Sequence, residues 1–166
     1  MKSNYKFVID WNGDPYDCEW FDDINFEKLP NVAGVHAFIF NDDGEICIAK
    51  WKRNKYWGDI GGGPEKCDKT FEDTLIREAD EEVDLDLKEI KRVGYYSTTK
   101  RGTKDARYSA VMIAKVQKIK PQTIDPAYNE IPQRKFVKPE DFNKYCNWGE
   151  SGEFQIRKAL KKLDTN

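Results

Sequence analysis

Histidine is nearly missing from this chain: His36 is alone among 166 residues. A centre built on several imidazoles, whether for zinc, haem or a radical metal, has no residues to be made from. Cysteine is sparse as well. Cys18, Cys47, Cys67 and Cys146 lie far apart with no C-x-x-C pair, so they read as reduced thiols rather than a zinc ribbon or a disulfide framework. No run approaches the roughly 18 to 20 apolar residues of a membrane span. The start, Met1-Lys2-Ser3-Asn4, lacks the apolar core of a signal peptide, and a cytoplasmic location is the expectation. An excess of either charge is also lacking: 28 basic and 30 acidic side chains leave −2, which gives no reason to expect a nucleic-acid coat or a membrane-surface protein. Repeats, low-complexity tracts and Ser/Gly linkers are absent too, which fits a single domain at residues 32–166 behind an extension at 1–31 that packs on it.

Apolar residues make up 39% of the chain and aromatics 13%, enough for one core. The extension carries one β-like run, Tyr5 to Trp11, and turn chemistry at Asn12-Gly13-Asp14-Pro15. Ala33 to Phe40 and Glu45 to Trp51, joined by Asn41-Asp42-Asp43-Gly44, predict a hairpin. Thr70 to Val83 predicts a helix with Thr70 as N-cap and an apolar stripe of Phe71, Leu75, Ile76, Ala79 and Val83 facing a sheet. Ile90 to Thr98, Tyr108 to Val116 and Ile131 to Val137 read as further strands, Pro139 to Cys146 as a short helix, and Phe154 to Leu163 as a last amphipathic one. Elements in this irregular order predict an α/β (α+β) fold, a mixed sheet between helices.

Chemistry concentrates at Gly61-Gly62-Gly63-Pro64-Glu65 and the helix that follows. At about 100° per residue, Glu78, Glu81 and Glu82 share one helix face and should converge. Like charges so close are costly unless solvated or sharing a cation, and a hard divalent cation takes oxygen ligands of this kind. The same acids read alternatively as a solvated surface. Glycines before the helix allow the close backbone approach that a ligand-facing loop needs.

In their joint order with Arg77, these residues resemble the Nudix box of Nudix hydrolases, G-x(5)-E-x(7)-R-E-U-x-E-E-x-G-U with U aliphatic, laid from Gly63 to Leu85. The preceding Trp57-Gly58-Asp59-Ile60-Gly61-Gly62-Gly63 is similar to the family's tryptophan and double glycine, and the likeness spans about residues 32–145. It implies an α/β/α sandwich and cleavage of a pyrophosphate linkage in a nucleoside diphosphate derivative with Mg²⁺ or Mn²⁺. It further implies Glu78, Glu81 and Glu82 as metal ligands, Arg77 as their orienting partner, and Glu78 or the loop residue Glu130 as general base. Two positions depart. Lys69 stands where the family has its first glutamate, and Asp84 where it has a glycine. Lysine at 69 is expected to weaken a bound cation or to disturb the partner of Arg77, with Asp68 or Glu65 substituting only if the loop shifts register. Asp84 is tolerable in a left-handed helix end. The alternative reading is therefore a Nudix-fold nucleotide-binding module that has lost hydrolysis. Some subfamilies mark their substrate with a proline or tyrosine 15 to 18 residues past the box, but that count reaches Lys100 to Thr103, which offers neither.

Basic segments flank the acidic helix, with Lys50, Lys52, Arg53 and Lys55 before it and Lys100, Arg101, Lys104 and Arg107 after it; both are expected to face the cleft. Lys50, Arg53, Trp57, Gly62 and Gly63 are the candidate substrate contacts. Trp51, Tyr56 and Trp57 read either as base-stacking or as core aromatics, and His36, in an apolar strand, as a structural histidine. The extension's Tyr5, Phe7, Trp11, Tyr16, Trp20 and Phe21 suit a homodimer interface or the cover of a sheet edge in a monomer. The near-zero net charge is thus an average: between Glu72 and Glu89 nine acids face only Arg77 and Lys88.

Overall fold

Alternation of side chains decides which way the central strands face. In the computed structural model, which describes residues 3–11 and 13–165, β3 (Val32–Phe40) turns Val35, Ala37 and Ile39 to one face of a sheet and Phe38 and Phe40 to the other. Among the described residues eight strands make this sheet: β1 (Tyr5–Trp11), β2 (Asp14–Phe21), β3, β4 (Ile46–Lys50), β5 (Ile60–Gly62), β6 (Leu85–Lys100), β7 (Ala106–Ile119) and β8 (Gln133–Val137). Their order is β1-β2-β6-β7-β3-β4-β8, with β5 paired to β3. Only β3 and β7 run parallel among the described pairings, so the sheet is mixed, as expected.

Helix α1 (Phe71–Val83) covers the first face with Leu75, Ala79 and Val83, beside Phe26. The short α2 (Phe142–Cys146) and α3 (Gly149–Leu163) cover the second with Phe142, Cys146, Ile156 and Ala159. Two helical layers thus enclose the sheet, the α/β/α sandwich that the box resemblance implied. Ile76 corrects the predicted apolar stripe, since it is 46% exposed. It lies about 100° from Leu75 around the helix, beyond the buried sector.

Both ends of α1 are fixed by side chains. Thr70 Oγ1 accepts the Asp73 N–H (3.0 Å), and the Asp73 carboxylate accepts the Thr70 N–H (3.0 Å), a closed capping box. At the other end Asp84 takes the left-handed conformation expected of it (φ 50°), and its carboxylate accepts from Thr123 N (2.7 Å) and Oγ1 (2.8 Å). Arg134 on β8 donates to the Val83 carbonyl (2.5 Å), satisfying an end-of-helix acceptor.

Four further expectations need correction. The predicted hairpin pairs only at Phe40 and Ile46, because β5 takes the edge of β3 while β4 turns to β8. In the extension, Asp14–Phe21 is a full strand and not merely the end of a turn; Asn12 of that turn lies outside the described residues. The last strand begins at Gln133, leaving Ile131 exposed, and the last helix begins at Gly149. Of the extension's aromatics, Tyr5 packs on Phe154 (4.1 Å between ring centres) and Phe21 on Tyr95 (4.9 Å). No helix among the described residues is long and apolar enough to cross a membrane.

Candidate active site

Arg77 is the hub of the site. Its Nε donates to Asp68 Oδ1 (3.2 Å) and Nη2 to Asp68 Oδ2 (3.0 Å), a two-toothed grip. Nη2 also reaches the Gly63 carbonyl (2.9 Å), while Nη1 reaches Glu78 Oε1 (2.8 Å) and Glu81 Oε2 (3.2 Å). All five guanidinium N–H groups thereby find acceptors. Asp68 is further held by the Glu65 N–H (2.8 Å) and the Thr74 hydroxyl (3.0 Å). Arg77 above all, aided by those two donors, keeps the Asp68 carboxyl far below the usual carboxylate range against the cost of burial.

This geometry answers the question of register raised at Lys69 in favour of Asp68. The carboxylate partner of Arg77 is not lost but moved back by one residue. Lys69 itself is exposed and uses its backbone N–H on Asp73 (3.0 Å).

Glu82 lies deepest of the three glutamates, 8% exposed, with Oε2 accepting the Gly61 N–H (3.0 Å). Burial pushes its carboxyl up to about 9; the Gly61 N–H works against this, and the negative charges of Glu78, Asp59 and Asp125 add to it. Burial also raises the Glu78 carboxyl, against the pull of Arg77. Gly62 is required here, because a β-carbon at that position would overlap the Glu78 carboxylate. At Gly61 a β-carbon would run into the Val35 carbonyl on β3. The three glutamates do not converge into a closed cage. Among the described residues no three His, Cys, Asp or Glu groups form one, because Arg77 Nη1 sits between Glu78 and Glu81. Each glutamate instead has one oxygen anchored and one, Glu78 Oε2, Glu81 Oε1 and Glu82 Oε1, without a protein hydrogen bond among the described residues.

Other candidates are distributed more widely. Glu130 lies on the 120–132 loop, where its Oε1 accepts the Lys52 N–H (2.9 Å). Arg53 stacks on Tyr128 of that loop, its guanidinium carbon 3.5 Å from the ring centre. Lys50 ends β4 opposite Gln133. Trp57 packs edge-on to Tyr145 of α2 (6.2 Å) with the Lys135 ammonium 5.4 Å from its ring, on the second face of the sheet. Trp51 is core rather than a stacking platform, buried with its Nε1 donating to Asp125 (2.8 Å). Of the basic segment after α1, Lys100 and Arg101 turn to the N-terminal hairpin rather than to the cleft, Lys100 pairing with Asp14 (2.6 Å) and Arg101 with Asp17 (2.9 Å).

Sequence reading passed over Asp59, Asp125 and the polar partner of His36, and admitted Asp68 only on a shift of the loop's register. His36 Nδ1 is 3.5 Å from Asp59 Oδ2, and its side chain is 30% exposed, so it is not a sealed core histidine. Burial opposes its charge, but Asp59, aided by Glu78, outweighs that and raises its pKa. Asp59 was within reach, two residues after Trp57, whereas nothing local marks Asp125.

The NUDIX domain family model matches residues 30–157, and the chain belongs to that family. Its fold is that of Nudix hydrolases. The Bacillus subtilis pyrophosphohydrolase BsRppH shares it at 18% identity and a TM-score of 0.71, over 96% of this chain and 98% of that one. The NUDIX domain of Shewanella oneidensis NrtR, crystallised with ADP ribose, is similar at 16% identity and TM-score 0.61, over 84% and 92% of the two chains. An ADP-ribose pyrophosphatase from Streptococcus suis follows at 17% and 0.58, over 83% and 95%. No curated protein matches the chain by sequence.

Proposed function

We propose that this protein is a divalent-metal-dependent hydrolase that cleaves a pyrophosphate bond in a nucleoside diphosphate derivative or related nucleotide. The observation that carries this reading is the divided state of the three glutamates, each with one oxygen fixed by Arg77 or by the Gly61 N–H and the other without a hydrogen bond among the described residues. Hard oxygen donors on one helix face fit Mg²⁺ or Mn²⁺, and Gly62 leaves the room that the Glu78 carboxylate occupies. Glu78, Glu81 and Glu82 would hold the ion, which when bound neutralises phosphate charge and lowers the pKa of an attacking water.

The chain's own groups set the rest. Arg77 fixes the rotamers of Glu78 and Glu81 while its own charge is balanced by Asp68. Burial raises the proton affinity of Glu78, which suits it to take a proton from water; Glu130 is the second candidate base, held by the Lys52 N–H. Lys50 and Arg53, before the glycine strand, are the candidate phosphate contacts, and Gly62 and Gly63 supply backbone that a substrate can approach closely. Trp57, packed on Tyr145 on the second face of the sheet, is not proposed as a substrate contact. The alternative of a module without hydrolysis rested on Lys69 and Asp84; the grip of Arg77 on Asp68 and the left-handed helix end at Asp84 favour the enzyme reading over it.

A nucleotide panel with Mg²⁺ or Mn²⁺ tests the proposal. Turnover should disappear with chelator and fall on the order of 100-fold or more in Glu82→Gln. No turnover of any nucleotide, or turnover unchanged in that variant, would refute it.

A further inference from the structure

We infer that Asp68 is the positioning residue of Arg77, standing in for the carboxylate that the box carries at position 69, and that through Arg77 it aims Glu78 and Glu81. This rests on the metal-site reading above. A local turn makes the substitution possible: the Asp68 N–H donates to the Glu65 carbonyl (3.1 Å) and the Asp68 carboxylate accepts the Glu65 N–H (2.8 Å). These reciprocal bonds turn residue 68 inward, to 5% side-chain exposure, and leave Lys69 outside. Thr74, fully buried one turn into α1, adds its hydroxyl to the same carboxylate.

The effect on the site follows from donor geometry. A guanidinium is a rigid planar fork, so gripping Nε and Nη2 on Asp68 decides where Nη1 points. Here it points between Glu78 and Glu81. Without the Asp68 charge, Arg77 would be neutralised chiefly by Glu78 and Glu81, with Glu65 farther off at 3.8 Å, and a cation would have to compete with it for them. Asp68 therefore lets Arg77 hold the glutamates without saturating them. Lys69 has no such part.

The test compares Asp68→Asn, Lys69→Ala, Lys69→Glu and the exchange D68A/K69E. Free Mn²⁺ is followed by electron paramagnetic resonance, with kcat and KM on the substrate found in the panel. Asp68→Asn should weaken Mn²⁺ about tenfold and lower kcat, with KM changed less than about threefold. Both Lys69 variants should stay within about twofold of wild type, and the exchange should regain most of the loss by returning the carboxylate to position 69. Thr74→Val, which keeps the charge but removes one of its anchors, provides a milder variant and should weaken Mn²⁺ about two- to threefold. Mn²⁺ affinity and kcat unchanged in both Asp68→Asn and Thr74→Val would overturn the inference, as would a tenfold tightening in Lys69→Glu. If Asp68→Asn does not fold, unchanged affinity in Thr74→Val suffices to overturn it. A wild type that binds no Mn²⁺ would overturn the site reading itself, and this role with it.

Discussion

Arg77 and Arg92 each spend all five N–H donors on acceptors within the chain, yet the two networks do different work. Arg92 on β6 forks onto Glu72 (2.7 and 3.0 Å), reaches both oxygens of Glu27 (2.9 and 2.7 Å), and adds the Ile24 carbonyl (3.2 Å). Every oxygen of its two carboxylates is consumed. The network is closed and ties the 24–28 segment to the first turn of α1, with the guanidinium above Phe26 (4.9 Å). Arg77 forks once, on Asp68, and touches Glu78 and Glu81 by one oxygen each. A closed network serves structure alone, whereas an open one leaves ligands to offer. The same residue type, with the same donor count, differs in what its partners have left over.

The largest expected break in that comparison is Arg77→Lys against Arg92→Lys. Lysine cannot fork. Arg77→Lys should lower kcat about 10- to 100-fold, while Arg92→Lys should leave kcat within about twofold and lower Tm by roughly 3 to 6 °C, from about 1.5 kcal/mol of lost charged hydrogen bonds.

Glu82 sharpens the contrast through pH. Its carboxyl, pushed up to about 9, holds a proton in the metal-free native state that the unfolded chain has released above its ordinary pKa near 4. The native state then binds more protons than the unfolded one, so this group makes stability fall as pH rises from about 4 to 9. Glu82→Gln should therefore raise the Tm of chelator-treated protein at pH 8 by a few degrees while abolishing turnover, a gain that thermal melts across pH would show.

Asp68 and Glu72, both held below the usual range chiefly by their arginines, carry the opposite sign. Their contribution is full above the unfolded carboxylate pKa near 4 and is lost as pH falls through the lower folded values. Asp68→Asn should flatten the acid limb of the stability curve below pH 4 relative to wild type, which acid titration followed by circular dichroism would detect.

Asp84→Gly offers a smaller effect. Glycine suits φ 50° better, but it forfeits two hydrogen bonds to Thr123. Restoring the family's residue should cost about 1 kcal/mol in denaturant unfolding. Smallest of all, Arg101→Ala removes an exposed pair on the hairpin and should stay within about 0.5 kcal/mol.

What the sequence disclosed follows from where each signal lives. The α1 helix was legible because Thr70 and the spacing of Leu75, Ala79 and Val83 are local. So was its ending at Asp84. β2 was missed because Asp14-Pro15 reads as a turn and its acids lower strand propensity; the alternation of buried Cys18 and Trp20 with outward Asp17 and Glu19 was the available sign. The turn before β4 was read correctly, but not its pairing, since strand partners depend on β5 arriving from elsewhere. Glu78, Glu81, Glu82 and Arg77 could be placed by counting residues. Asp68 could not, because a turn had shifted the register by one, and Asp125, buried under Trp51 from a loop far along the chain, depends on tertiary closure.

The most direct test of the open Arg77 network is a Mn²⁺ titration of wild type, Glu78→Gln and Arg92→Lys followed by the resonance of free Mn²⁺. Binding should be saturable in wild type, unchanged in Arg92→Lys, and at least about tenfold weaker in Glu78→Gln. Equal affinity in wild type and Glu78→Gln, or no saturable binding in wild type, would contradict the account.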